Sequence, residues 1–445
     1  MIKYSIMTLG CPKNEVDSQH MQGFLSSESD FEYINDFEKA EVIIINTCGF
    51  IQDAKEESID TILTALEYKK AHNCRSVVVT GCLTQRYSEE LQAEIPEIDA
   101  VLGTSNFDKI AEVVKESLAG QKTGGIAAAG FDYSASLPRE LDNNVFAYLK
   151  IAEGCNNNCS YCSIPQIRGG IKSRTIADIK REAEKIAESG IKELILIAQD
   201  TTQYGVDIYG RSALAPLLRK LTEVEGIEWI RILYSYPEFI TDEMIEVIAE
   251  EDKICNYLDL PIQHSAIKIR KLMNRKGDRT DIANIINMIR NKIPDVKLRT
   301  SLISGFPGES EADFEDLKEF IKEFKFDRLG VFEFSLEEDT AAVNLPNRIS
   351  PQLKKERKEE LLKIQQEISL EKNRELLEKE LEVIIEAKNE DYYLARSRFD
   401  APEIDNQIYI PIENNELEIG NIYYALITEA YHYELEGEIK DESTK

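Results

Sequence analysis

Cys155, Cys159 and Cys162 lie in the stretch G-C-N-N-N-C-S-Y-C-S-I-P, residues 154–165, as a C-x-x-x-C-x-x-C array. Three thiolates on so short a loop can wrap one face of an iron-sulfur cluster and leave a fourth iron without a protein ligand. Such an iron is a place for a substrate to bind. A structural zinc site usually takes four protein ligands, commonly from two C-x-x-C pairs, and the chain has no second such pair. A second set of three is dispersed: Cys11 in T-L-G-C-P-K-N, Cys48 in N-T-C-G-F and Cys82 in V-T-G-C-L. Each follows an apolar run, and each has a glycine beside it, Gly10, Gly49 or Gly81, as expected where backbone turns sharply or approaches an inorganic body.

The elements around these residues explain how distant cysteines can meet. Apolar runs at Tyr4–Leu9, Val42–Asn46, Ser76–Thr80 and Ala100–Leu102 alternate with amphipathic stretches at 16–24, 54–66, 85–91 and 108–118. This βαβα rhythm predicts an α/β, doubly wound parallel sheet over residues 1–118, whose strands carry Cys11, Cys48 and Cys82 to one edge. The Gly- and Ala-rich stretch 120–130, followed by Ser134, Ser136 and Pro138, reads as a flexible linker. From Val145–Ile151 onward, strand and helix alternate again, with strands at 193–198, 227–233, 257–260, 296–303 and 328–334. Six strands with helical crossovers predict a partial barrel over 141–372, its chemistry at the carboxyl ends of the strands. Polar and flexible residues fall at those ends: Gln199 and Asp200, Tyr234–Pro237, Gln263 and His264, and the G-F-P-G-E turn of Gly305, Gly308 and Glu309. Glu309 also suits the start of the next helix, where an acid opposes the dipole, and His264 suits a positioning role.

The chain has 445 residues, enough for two or three domains, and eight cysteines. No apolar run is long enough to span a membrane, and Met1–Gly10 does not resemble a signal peptide, so a cytoplasmic protein is expected. Cysteines in a reducing compartment are metal ligands or catalytic groups more often than disulfides. Cys74 and Cys255, one preceding a strand and the other ahead of one, read as structural. His20, His72 and His432 have no metal-ligand spacing to one another. The net charge of −29 repels phosphate backbones and favours a basic partner.

The stretch A-Y-L-K-I-A-E-G-C-N-N-N-C-S-Y-C-S-I-P resembles the radical S-adenosylmethionine enzymes. L-G-C-P-K-N, N-T-C-G-F-I and V-T-G-C-L-T-Q-R-Y resemble their methylthiotransferase branch. C-P-K-N at Cys11, A-Q-D-T-T at Ala198, L-P-I-Q-H at Leu260 and D-A-P-E-I-D at Asp400 are closer to the enzymes that modify a ribosomal protein than to those that modify transfer RNA. The resemblance covers nearly the whole chain. It implies that Cys155, Cys159 and Cys162 hold a radical-generating 4Fe-4S cluster, that S-adenosylmethionine chelates its open iron, and that Cys11, Cys48 and Cys82 hold an auxiliary 4Fe-4S cluster carrying the sulfur to be transferred. It also places Tyr161, Gln199, Gly305, Gly308 and Glu309 at the S-adenosylmethionine site. The implied reaction adds a methylthio group to the β-carbon of an aspartate in small-subunit ribosomal protein S-twelve, with an electron donor such as a flavodoxin or ferredoxin. Two positions depart from the family pattern: Glu15, where an apolar residue is usual, and Asp339, where glycine is usual.

Ser350 and Pro351 begin a charged helix, as cap and first-turn residue. Strand-like runs at 381–385, 392–395, 407–410 and 423–427, with turns near Asn389, Asn414 and Gly420, predict a small antiparallel β-barrel over 375–441, which resembles a TRAM domain. Residues 376–445 carry eighteen Asp or Glu against six Lys or Arg, so RNA binding is disfavoured and Tyr392, Tyr393, Tyr409 and Tyr424 read as strand residues. Two alternatives stay open at this point: methylthiolation of an adenosine in transfer RNA, and a noncatalytic iron-sulfur protein.

Overall fold

The computed structural model describes residues 1–141, 145–412 and 416–441, so the turn expected near Asn414 lies outside the described residues. The chain forms two compact units. One comprises Met1–Asp142, Lys150–Ile179 and Ser335–Val343; the other comprises Asn143–Leu149, Lys180–Phe334 and Asn344–Lys445.

The first unit is built on strands β1 (Ile2–Thr8), β2 (Phe31–Tyr33), β3 (Val42–Thr47), β4 (Ser76–Gly81), β5 (Ala100–Leu102) and β6 (Thr123–Gly125), in the order β2-β1-β3-β4-β5-β6. All five neighbouring pairs are parallel. Helices α1 (Pro12–Ser26), α2 (Gln52–Ala71), α3 (Cys82–Glu94) and α4 (Ile110–Leu118) connect them. Strands buried on both faces read as unbroken apolar runs, which is why I-I-I in β3 and V-V-V in β4 mark the sheet centre. Ile44 and Val78 pack on one side with α1 and α4 residues such as Met21 and Val114. Ile43, Ile45, Val77 and Val79 pack on the other with Ile62 and Leu66 of α2 and Leu83 of α3. Each such side chain contributes roughly 1.5–3 kcal/mol by leaving water.

Residues 120–130 are not a loose linker. Thr123–Gly125 is the edge strand β6, Gln85 Nε2 donates to Ala127 O at 3.1 Å, and Tyr133 and Ala135 are buried. The short strand β2 also carries no mark in the sequence, because three residues are too few for a periodic signal. Beyond β7 (Phe146–Lys150), the strands β8 (Ala152–Glu153) and β9 (Lys172–Ser173) form a hairpin around the Cys155–Cys162 loop and the single helical turn α5 (Ile164–Arg168).

The second unit contains the sheet β7-β10-β11-β12-β13-β14, with β10 (Glu193–Ile197), β11 (Trp229–Ile232), β12 (Ile254–Asp259), β13 (Lys297–Ser304) and β14 (Arg328–Glu333). The pairs from β10 through β14 are parallel, and the sheet remains open, as a partial barrel requires. Between β9 and β10 runs α6 (Ile176–Glu188), a crossover beyond those expected from the sequence. Cys255 lies inside β12, not ahead of it, and is buried there; Cys74 is also buried. Ser350 caps the long helix Pro351–Arg374 by accepting from Leu353 N at 3.3 Å.

The chain ends in a closed barrel of five strands, Glu380–Lys388, Tyr392–Ser397, Gln407–Pro411, Ile422–Ala430 and Glu434–Asp441. The last strand escapes sequence reasoning because E-L-E-G-E-I-K-D is mostly charged. It also changes the expected purely antiparallel pairing. Directions cannot alternate around a closed ring of five, so one neighbouring pair must be parallel, and it is Gln407–Pro411 with Glu434–Asp441. Tyr393 is buried, and Tyr392 and Tyr409 pack edge to face on neighbouring strands, as expected of strand residues.

The D-A-P-E-I-D motif anchors this barrel to the starts of the parallel strands. Asp400 accepts from Arg328 Nε at 2.8 Å and from Ser397 Oγ at 2.7 Å; Asp405 accepts from Tyr257 OH at 2.6 Å. Glu193, at the start of β10, is fully buried between Arg231, 2.8 Å away, and Arg396. Burial works against its charge, but Arg396 and Arg231 outweigh it and hold the carboxyl below its ordinary value. The stabilisation is therefore complete above the ordinary glutamate pKa of about 4.3 and fades as pH falls through the lower folded value. Glu193→Ala strands two buried guanidiniums and is expected to lower the unfolding free energy by about 3–5 kcal/mol. A urea titration at pH 7 checks this, and an unchanged midpoint refutes it.

Candidate functional site

The strand order of the first unit decides where its cysteines go. From β1 the chain turns to β2 on one side and then to β3 on the other, so a crevice opens at the carboxyl ends between β1 and β3. Register aligns those ends: Thr8 pairs with Asn46, Asn46 with Thr80, and Thr47 with Gly81. Cys11, Cys48 and Cys82 follow directly, on three adjacent strand ends. Gly10 has φ +95°, and a Cβ there would stand 2.8 Å from Cys48 Cβ and 3.0 Å from its Sγ. That cradle admits only glycine.

Asn14, the asparagine of C-P-K-N, ties the three loops together. Its Nδ2 donates to Leu9 O at 2.8 Å and to Thr47 O at 3.0 Å, while its Oδ1 lies 3.7 Å from Cys82 Sγ. Ser58 brackets Cys48, accepting from its N at 3.1 Å and donating to its O at 2.9 Å. Burial, then the neighbouring Cys82 and Cys11, pushes the Cys48 thiol up to about 12. Burial also raises Cys82, against the pull of Arg168. In the other array, burial followed by Cys159 and Cys155 pushes Cys162 up to about 12. Cys48, Cys82 and Cys162 thus resist ionising until a cation compensates them, as metal-binding thiols do before they are loaded. As placed, no group of three or more His, Cys, Asp or Glu side chains among the described residues is set to hold a single metal ion.

Sequence reasoning missed a buried network in the same unit. Lys150, with no exposed surface, bonds Asp17 Oδ1 at 2.6 Å, Glu153 Oε2 at 2.9 Å and Tyr133 OH at 2.7 Å. Arg168 bonds Asp17 Oδ2 at 2.7 Å, Asn14 Oδ1 at 2.6 Å, Glu153 Oε2 at 3.3 Å and Cys82 Sγ at 3.4 Å. Tyr133 OH also donates to Asp17. Two carboxylates face two cations, so the cluster of charges is neutral and internally satisfied. The available signal was Lys150, a cation inside an apolar strand with Glu153 three residues later.

Segment 335–343 joins this unit through Glu337, which meets Arg86 at 2.9 Å and Lys55 at 3.0 Å. Ala342 N donates to Ser160 O at 2.7 Å, and Gln166 Nε2 to Asp339 O at 2.6 Å. Asp339 has φ +61°, a left-handed conformation that glycine would adopt at less cost. Glu15 Oε1 accepts from Gln19 Nε2 at 3.2 Å. Tyr161 is half-buried in the Cys159–Cys162 loop.

The remaining candidates lie in the second unit, at the carboxyl edge of its sheet. Gln199 is half-buried just past β10. Its neighbours in A-Q-D-T-T hold the loop: Asp200 accepts from Thr202 N at 3.1 Å and Gln203 Nε2 at 2.7 Å, and Thr201 Oγ1 donates to Leu233 O at 2.9 Å. Gly305 and Gly308 have φ +71° and +86° in the turn after β13. Glu309 precedes the capping Ser310 and does not begin the helix Glu311–Phe324. Its carboxylate is committed to the turn, accepting from Gly305 N at 2.9 Å and pairing with Arg357 at 2.5 Å. His264 is fully buried, its Nδ1 accepting from Ala266 N at 3.0 Å and its Nε2 3.5 Å from Glu309.

The model of the Radical SAM superfamily matches residues 149–321, that of Uncharacterized protein family UPF0004 matches 3–103, and that of the TRAM domain matches 379–439. A protein of Clostridioides difficile named ribosomal protein uS12 methylthiotransferase RimO is 50% identical over 441 residues, covering 99% of each chain. Proteins of the same name from Clostridium perfringens and Desulfitobacterium hafniense are 47% and 44% identical, covering 100% and 98% of each chain. Among solved structures, the radical S-adenosylmethionine methyltransferase TsrM of Kitasatospora setae aligns with a TM-score of 0.54 at 12% identity over 75% of each chain, a likeness of fold.

Asn14→Leu removes the tie between the loops while keeping similar bulk. It leaves buried backbone carbonyls and Arg168 short of a partner, and is expected to cost about 1–3 kcal/mol. Urea unfolding measures that cost, and faster labelling of Cys48 and Cys82 by a thiol reagent in the apoprotein is the expected local sign. Unchanged stability and labelling would show that Asn14 holds nothing.

Proposed function

Because the chain belongs to the RimO family of radical S-adenosylmethionine methylthiotransferases, we propose that it adds a methylthio group to the β-carbon of an aspartate in ribosomal protein uS12. Full-length identity to the RimO relatives carries this reading, and the gathering of Cys11, Cys48 and Cys82 at the crevice between β1 and β3 supports it. In this reading those three hold the auxiliary 4Fe-4S cluster, and Cys155, Cys159 and Cys162 hold the cluster that binds S-adenosylmethionine. When bound, these groups supply reductive cleavage of S-adenosylmethionine to a carbon radical and the methylated sulfur that is transferred.

The chain's own residues then bind and position. Gly10 lets the first cysteine loop approach Cys48, and Asn14 fixes the spacing of the three loops. Tyr161, Gln199 and the Gly305–Gly308 turn contact S-adenosylmethionine. Glu309 serves that site indirectly, by holding the turn through Gly305 N. Residues 1–118 form the domain of the auxiliary cluster, 141–372 the radical domain and 375–441 the TRAM domain.

Charge favours a basic protein over RNA as substrate, since the chain carries −29 and its last seventy residues are strongly acidic. Part of that acidity is internal: Asp400, Asp405, Glu382 and Glu386 are engaged by Arg328, Arg299, Arg398 and Arg396. The electron donor is a small redox protein of the flavodoxin or ferredoxin kind, and the site of action is the cytoplasm. No helix among the described residues is long and apolar enough to cross a membrane.

An anaerobic competition tests the reading. Reconstituted enzyme, reductant and S-adenosylmethionine are mixed with uS12 and a transfer RNA anticodon stem-loop, and each is weighed by mass spectrometry. A methylthio gain on uS12 alone is expected. Cys155→Ala should abolish 5′-deoxyadenosine, whereas Cys48→Ala should keep producing it without methylthiolation. A gain on the RNA alone overturns the substrate, and no 5′-deoxyadenosine from fully loaded enzyme overturns the activity.

A further inference from the structure

Arg168 ends α5, six residues after Cys162, yet its guanidinium reaches the other cysteine set: Nη2 lies 3.4 Å from Cys82 Sγ. The same nitrogen donates to Asn14 Oδ1 at 2.6 Å, while Nη1 meets Asp17 and Glu153, the residue two before Cys155. Arg168 is 2% exposed, and Lys150, which shares its two carboxylates, is 0% exposed. Water screens neither. We propose that Arg168 is the positioning residue that couples the two cysteine sets: its N–H bond to Cys82 sulfur sets the electronic state of the auxiliary cluster, and its hold on Asn14, Asp17 and Glu153 fixes the two loops against each other.

The physical reason is general. Hydrogen bonds to cluster sulfurs and net charge nearby set a cluster's reduction potential, because both stabilise the more negative, reduced form. Arg168 supplies such a hydrogen bond to Cys82, while its charge is balanced by Asp17 and Glu153. Lysine keeps the charge but has no planar fork to reach Cys82, Asn14 and Asp17 at once. The inference rests on Cys11, Cys48 and Cys82 being ligands of the auxiliary cluster, as read above.

The test uses the full chain with Cys155, Cys159 and Cys162 replaced by alanine, so that the auxiliary cluster alone gives a signal. Reductive titration by electron paramagnetic resonance compares Arg168, Arg168→Lys and the charge-balanced pair Arg168→Met with Asp17→Asn. The paired change avoids leaving Asp17 without its arginine partner, so that a folding defect does not obscure the result. The reduction potential is expected to fall in the paired variant, with Arg168→Lys between it and the parent, at equal iron content. Equal potentials in all three overturn the proposal. A second measurement does not depend on how the variants fold: spin-echo spectroscopy of the parent chain grown with ¹⁵N-arginine is expected to show a guanidinium nitrogen coupled to the reduced cluster. Absence of that coupling in a loaded chain overturns the role of Arg168 alone. Failure of the parent to hold any cluster overturns the ligand assignment with it.

Discussion

The first unit depends on a neutral set of four buried charges. Asp17 and Glu153 face Lys150 and Arg168 at 2.6–3.3 Å with almost no solvent contact. Removing any one would leave an uncompensated charge in a low-dielectric interior, a cost of several kcal/mol. That constraint explains why segments distant in sequence lie together. Asp17 sits on α1 just after Cys11, whereas Lys150, Glu153 and Arg168 flank the Cys155–Cys162 loop. The charges balance only when these segments meet, so the ion network fixes the spacing of the cysteine loops as well as stabilising the fold. Tyr133 and segment 335–343 close over the same unit, through Asp17 and through Glu337 respectively.

Strand order supplies the second constraint. A parallel sheet that reverses its winding direction leaves a crevice where helices cannot cover the strand ends. Here the reversal falls between β1 and β3, and the cysteines follow β1, β3 and β4. Helix α1 begins at Pro12 and α3 at Cys82 itself, so the first turns of both helices border the crevice. Cys48 and Cys82 are buried in this position, and burial raises both thiols above their ordinary range, so neither ionises readily unless a cation compensates it.

The second unit uses buried ion pairs differently. Glu193, Asp400 and Asp405 join the C-terminal barrel to the amino ends of the parallel strands, while Gln199, Gly305 and Gly308 stand at the carboxyl ends. Attachment and the candidate cofactor residues are thereby separated by the length of the strands. Much of the acidic character of D-A-P-E-I-D is committed to that attachment, because its aspartates answer Arg328 and Tyr257 within the unit.

Local sequence determined the parts that local physics controls. Apolar runs long enough to be buried on both faces marked nearly every parallel strand, Ser350 and Pro351 marked a helix start, and cysteines placed after strands marked the candidate site by their positions alone. Where side chains carry little periodic signal, sequence was silent: β2 and β6 are three residues long, and the last barrel strand is mostly charged. Glu309 suits a cofactor contact or a helix start by its type and place, and only its bonds to Gly305 and Arg357 show that it holds the turn. The pairing of Arg168 with Cys82 could not be read at all. It joins residues 86 positions apart, and such a contact is fixed by how α5 and α3 pack and by the need to balance charge in the interior, neither of which any local pattern encodes.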